Sequence, residues 1–145
     1  MSVLEVGQKP IVMPHYPHMM EEDTEVWTKY LKDPVFPILE VWYDVHVGTG
    51  LEGSFVGDAL GTRIARGVTR KRIDVVCRLE HEFWVVEIKP RASMTALGQA
   101  ISYRGLFVKE YFTTGPVFPV VVCDQLDEDL ISEYDRAGVL LIING

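Results

Sequence analysis

The sequence predicts a mixed α/β fold, a single central sheet of about five strands flanked by helices. Three observations lead there. Residues 72–79 and 83–89 are strand-like runs separated by a short polar turn, the pattern of an antiparallel hairpin. The later runs VFPVVVC (117–123) and VLLII (139–143) are continuously apolar, as parallel strands buried on both faces are. A helix-patterned segment precedes each of those two runs, so the connections read as crossovers.

The first twenty residues carry Pro10, Pro14 and Pro17 and read as an irregular arm. His15 and His18 form a His-x-x-His, half of a metal site, with no further Cys or His close by in sequence. Residues 21–33 open with acids that suit a helix N-terminus, and place Val26, Trp27, Tyr30 and Leu31 on one stripe. Asp33-Pro34 and Phe36-Pro37 end that helix. Residues 38–47 alternate as a strand, with Asp44 and His46 on one face as a surface pair. Gly48 to Gly61 is glycine-rich without phosphate-loop spacing, and reads as a loop. It leads into the basic run Arg63 to Arg72 and the hairpin, which Pro90 stops. Ser93 is a good N-cap for a long helix reaching about Tyr111. Gly115-Pro116 marks a turn, and Gly138 closes a short helix over 127–138. One domain, 21–145, thus follows an arm, 1–20, with no internal repeat.

At 145 residues, 48% apolar and 24% charged, the chain has ordinary globular composition. No apolar run approaches the ~20 residues of a membrane span. The first residues lack the pattern of a secretory signal, and Cys77 and Cys123 sit in apolar runs, so an intracellular protein with buried reduced thiols is expected. The net charge of −7 disfavours general nucleic-acid coating. It is unevenly spread, at −7 over residues 1–60, +5 over 61–110 and −5 over 111–145. A basic middle between acidic ends suits a localised polyanion surface.

The hairpin carries the chemistry. If Glu80 pairs with Phe83 across a two-residue turn, Asp74 stands opposite Lys89 and Val76 opposite Glu87. Alternation then gives one apolar face of Ile73, Val75, Cys77, Leu79, Trp84, Val86 and Ile88. The other, solvent-reachable face gathers Asp74, Glu87 and Lys89 at one end. Two close carboxylates repel, and one pKa rises, unless a cation lies between them. A hard divalent ion, Mg²⁺ or Mn²⁺, suits two carboxylates, waters and a substrate phosphate, and the backbone carbonyl of Ile88 is a further candidate ligand. Lys89 is then positioned to orient a water and balance phosphate charge. That combination suits phosphodiester hydrolysis. The same three residues would also make a plain surface ion-pair cluster.

The constellation resembles the PD-(D/E)xK nuclease superfamily, whose signature is an acid on one strand and acid-x-Lys on the next. Here these are Asp74 in Arg-Ile-Asp-Val-Val and Glu87-Ile88-Lys89 in Val-Val-Glu-Ile-Lys-Pro; Ile73 stands where the signature has proline. Ten residues after Lys89, Gln99-Ala-Ile-Ser-Tyr103 resembles the Gln-x-x-x-Tyr helix of the RecB-like exonuclease branch, its two ends on one helix face. The resemblance implies a restriction-endonuclease-like core over roughly residues 20–145 and a Mg²⁺- or Mn²⁺-dependent DNA nuclease. Asp74 and Glu87 would be metal ligands, Lys89 would position water, and Gln99 and Tyr103 would orient Lys89 or the phosphate. Many members add a Glu from the helix before the first strand; Glu21, Glu22 and Glu25 are candidates, Glu25 flanking the apolar pair Val26-Trp27. Arg63, Arg66, Arg70, Lys71, Arg72, Arg91 and Arg104 would face DNA phosphates. Cutting both strands would call for two active sites, hence a homodimer. The rival readings are a nuclease-fold binding or assembly module that has lost cleavage, and a plain structural protein.

Overall fold

A computed structural model of the protein describes residues 1–48 and 70–145. In chain order the elements are β1 (Ser2–Val3), α1 (Glu21–Lys32), β2 (Glu40–Val47), β3 (Lys71–Arg78), β4 (Phe83–Ile88), β5 (Arg91–Ala92), α2 (Met94–Glu110), β6 (Tyr111–Phe112), β7 (Val117–Cys123), β8 (Gln125–Leu126), α3 (Ile131–Arg136) and β9 (Leu140–Ile143). The main sheet has the order β2-β3-β4-β7-β9. Its first three strands are antiparallel, and β7 and β9 run parallel to β4. This is the mixed five-stranded α/β sheet that the sequence predicts. The Ser93 hydroxyl caps α2 by accepting from Ala96 N–H at 3.2 Å. The helix expected over 127–138 is split into a 3₁₀ turn, Glu128–Leu130, and α3, because the Asp127 carboxylate accepts from Asp129 N–H and caps the turn.

Helices cover both faces of the sheet. Val26, Trp27 and Tyr30 of α1 pack on Val75, Cys77, Val86, Ile88 and Val122. On the other side Phe107 of α2 packs on Val76, Phe83 and Val85. Ala96 and Ala100 let the N-terminal half of α2 lie close over Val121, beside Tyr134 of α3. The hairpin's second face, expected to be solvent-reachable, is therefore largely covered: Val76, Phe83, Val85 and Glu87 are buried, while Asp74, Arg78 and Lys89 are half-buried. Both thiols are free and buried, and burial pushes each thiol pKa upward. No helix among the described residues is long and apolar enough to cross a membrane.

The hairpin register departs from the expected one by two residues. Arg78 pairs with Phe83 and Val76 with Val85, so the two-residue turn falls at Glu80-His81, closed by Leu79 N–H donating to Glu82 O at 2.8 Å. The turn packs on a distant segment: Phe83 N–H donates to Pro116 O at 2.8 Å, and Gly115 lies so close that a Cβ there would stand 3.0 Å from His81 O. An even shift keeps every side chain on its face. It moves the position opposite Asp74 from Lys89 to Glu87.

Ile73 is a second departure. It joins the α2-side core with Val45 and Val47, while Val75 and Val41 belong to the α1 side. The β2–β3 ribbon keeps one register through Tyr43–Val75 and Val45–Ile73. Between those pairs Asp44 has φ +53°, a left-handed backbone that aspartate tolerates better than most residues. The ribbon bends there and exchanges its faces.

The N-terminal arm is irregular but docked. β1 pairs with β6, Gln8 and Val41 exchange backbone hydrogen bonds of 2.8 and 2.9 Å, and the buried Tyr16 hydroxyl bonds Thr28 at 2.8 Å. The arm thus straps over β2, an edge strand that would otherwise offer its backbone to other chains. Gly7 is where the strap lies closest. A Cβ there would stand 2.7 Å from Val41 O and 2.8 Å from a ring carbon of Trp42. Gly7→Ala is expected to cost about 1–3 kcal/mol as an overpacking change, read as a lower melting temperature and faster exchange of the Val41 amide. An unchanged Val41 exchange rate would show that the strap does not hold that edge.

Candidate active site

The carboxylate pair is set by strand geometry. The regular β3–β4 ladder ends at Val75–Val86. One step further the Asp74 carboxylate takes over, with Oδ2 accepting from Ile88 N–H at 3.1 Å. Glu87 alternates with Val86 and Ile88, so it points to the α2 side. It is only 2% exposed, and its Oε1 has no hydrogen-bond partner. Burial is the main cause that raises both carboxyl pKa values, and the Asp74 charge raises Glu87 further; Lys89 opposes both shifts, and the Ile88 hydrogen bond opposes that of Asp74. Ile88 turns its carbonyl to the same side of β4 as its N–H, toward Asp74.

Lys89 lies just past the end of β4, its N–H donating to Val122 O at 3.1 Å. Its charge is felt by Asp74, Glu87 and Asp23. Among the described residues no ion pair joins Lys89 to Asp74 or Glu87. The surface ion-pair cluster is therefore not what these residues form. Tyr103 of α2 completes the group. Burial, then the charges of Glu87 and Asp74, raise its pKa, while a hydrogen bond from Gln99 opposes the rise. Gln99 Oε1 is itself buried without a partner. Asp74, Glu87, Lys89, Gln99 and Tyr103 are thus brought together.

The acid that α1 turns inward is Asp23, not Glu25. Asp23 is 5% exposed, and its burial raises its pKa against the pull of Lys89. Glu21, Glu22 and Glu25 are exposed. The signal was available, because Asp23, Val26, Trp27 and Tyr30 follow the i, i+3, i+4, i+7 spacing of one helix stripe.

The basic residues divide. Arg63 and Arg66, and the glycine-rich stretch beyond Gly48, lie outside the described residues. Lys71, Arg72 and Arg91 are exposed near the carboxylate end of β3 and β4. Arg70 is engaged by the Glu110 carboxylate and the carbonyls of His46 and Gly48. Arg104 donates to Val117 O at 3.0 Å. Val117 pairs with Phe83, about 13 Å along β4 from Glu87 at strand rise, so Arg104 is drawn away from the carboxylates. The expected Asp44–His46 pair is present at 3.5 Å and is larger than expected. His18 of the arm lies 3.4 Å from Asp44 Oδ2, and Arg72 approaches both.

The burial of Glu87 has a pH signature. Its raised pKa means that the folded protein holds a proton that the unfolded chain releases near pH 4.3. In the metal-free protein the contribution of Glu87 to stability is therefore fully present below that pH and is lost as pH climbs toward the raised value. Glu87→Gln removes the titration. It should melt higher than wild type at pH 8 by the equivalent of at least about 1 kcal/mol, with the gap closing toward pH 4. Parallel melting curves from pH 4 to 9 would decide it; a constant gap would show that Glu87 is not held protonated.

Comparison of the chain with protein-family models, with curated proteins and with solved structures returns no match.

Proposed function

We propose that this chain is a divalent-metal-dependent deoxyribonuclease of the PD-(D/E)xK kind. The observation that carries the reading is the Glu87 carboxylate, 2% exposed and with an unpartnered Oε1, beside Asp74. Leaving such a group without a partner costs several kcal/mol if it is ionised. A hard cation relieves that cost, so the residues fit Mg²⁺ or Mn²⁺. Asp74 and Glu87 would hold the ion, with the Ile88 carbonyl beside them; Asp23 of α1 adds negative charge near Lys89 without being a ligand. When bound, the ion polarises a phosphodiester and lowers the pKa of a coordinated water. Lys89 holds the attacking water and balances charge on the phosphate. Tyr103 and Gln99 orient Lys89 or a phosphate oxygen, and Lys71, Arg72 and Arg91 receive neighbouring phosphates of DNA.

A second reading, a nuclease-fold module that binds nucleic acid without cutting, has one observation in its favour. Among the described residues no group of three His, Cys, Asp or Glu side chains lies close enough together to hold a metal. Two carboxylates suffice for Mg²⁺ only when waters and substrate phosphate complete the shell.

The two readings separate in one set of measurements on wild type, Lys89→Ala, Asp74→Asn and Glu87→Gln. Calorimetric Mn²⁺ titration, melting curves and plasmid nicking are compared on all four. Lys89→Ala should abolish cleavage and keep Mn²⁺ binding, because Lys89 is not a ligand. Asp74→Asn and Glu87→Gln should lose both. At about 100-fold excess over Kd, Mn²⁺ should stabilise wild type by roughly 2.7 kcal/mol. Wild type that binds Mn²⁺ and DNA without nicking selects the second reading, and wild type that binds no metal overturns the first.

A further inference from the structure

We propose that the outer edge of β9, with the groove between β9 and α3, is a docking site for an extended basic segment of another protein, added to the sheet as a sixth strand. β9 is the terminal strand, and among the described residues nothing pairs with its outer side. Asn144 N–H donates inward to Cys123 O at 2.8 Å. By alternation Leu140 and Ile142 face β7, while Leu141 and Ile143 turn their N–H and C=O groups outward. An open edge is usually guarded by a lysine, a proline, a bulge or a covering segment. Residues 137–145 contain no charged residue and no proline, whereas the opposite edge, β2, carries the strap.

A groove of about 380 Å³ runs along this edge, lined by Ile131, Tyr134 and Asp135 of α3 and by Val139, Leu140 and Leu141. Ile131 and Ile143 are exposed beside it. A strand laid on β9 would direct alternate side chains toward α3 and the groove, the arrangement of β-strand addition, and the intervening ones to the opposite face beside Ile142, where apolar residues fit. Charge selects the rest of the partner. Residues 127–136 carry Asp127, Glu128, Asp129, Glu133 and Asp135 against Arg136, and Arg136 is engaged by Glu133 at 3.6 Å. Lysine or arginine at the α3-facing positions complements that flank, with Asp135 at the groove to receive the charge and the aliphatic stems lying on Ile131 and Leu141. A second copy of this chain does not, because pairing β9 with itself sets two acidic α3 flanks together.

The test uses the full chain labelled with ¹⁵N and two blocked octapeptides, one alternating lysine with valine and one alternating glutamate with valine. The lysine peptide should shift the Leu141 and Ile143 amides and slow their exchange. The glutamate peptide should bind about tenfold more weakly, and exposed Asp135→Lys, checked for an unchanged melting temperature, should narrow that difference. The proposal is overturned if the lysine peptide fails to move those amides at millimolar concentration or if the two peptides bind equally. It is equally overturned by a dimer, seen in sedimentation without peptide, that protects the same amides.

Discussion

Coverage of the β3–β4 hairpin on both faces is the constraint from which the rest of the molecule follows. α1 closes one side and α2 the other. A polar group under either helix is then taken out of water, at a cost that a partner must offset. Most positions avoid the cost by being apolar, as Val75, Val76, Val85 and Val86 are. Glu87 does not avoid it, and its Oε1 is left without a partner. The reading of this end of the sheet as a cation site rests on that exception, more than on the presence of acids as such.

The elements of this fold were readable because their signals are local. Alternation marks β3 and β4, continuous apolar runs mark β7 and β9, and Ser93 marks the start of α2. What escaped depends on residues far apart in sequence. The hairpin turn packs on Gly115 and Pro116, a segment far along the chain that the hairpin's own sequence does not announce. The bend at Asp44 has no glycine to announce it. Arg104 and Arg70 looked like free cations until folding brought Val117 and Glu110 to them. The candidate site was readable in its strand and helix motifs, Asp74, Glu87, Lys89, Gln99 and Tyr103. Its α1 acid was missed for a different reason, since Asp23 was visible on the stripe of Val26 and Tyr30 but was counted only as a helix-start acid.

The two edges of the sheet meet the same hazard differently. An edge strand offers unpaired N–H and C=O groups to any passing strand. At β2 the arm closes the edge, holding Gln8 on Val41 and Tyr16 under the α1 layer. At β9 the described residues leave a short, uncharged strand beside an acidic helix. Shortness limits indiscriminate pairing, and the acidic flank discriminates by charge among the strands that do arrive.

The arm, the bend and the carboxylates act as one unit. Among the described residues, His18 and Asp44 are the two non-glycine residues with left-handed backbones, and their side chains meet at 3.4 Å. Such conformations persist only where surrounding contacts hold them. Here the contacts are the strap, through Tyr16 and Gln8, and the β2–β3 register on either side of the bend. The bend coincides with the place where the β3–β4 ladder stops, so that Ile88 N–H is met by the Asp74 carboxylate instead of a backbone carbonyl. A straight ribbon would carry the ladder through Asp74 and leave that carboxylate with no backbone donor. The backbone strain at Asp44 is thus coupled to the position of Asp74 beside Glu87, and the arm that sustains it belongs to the architecture of the site, although none of its residues touches the buried pair.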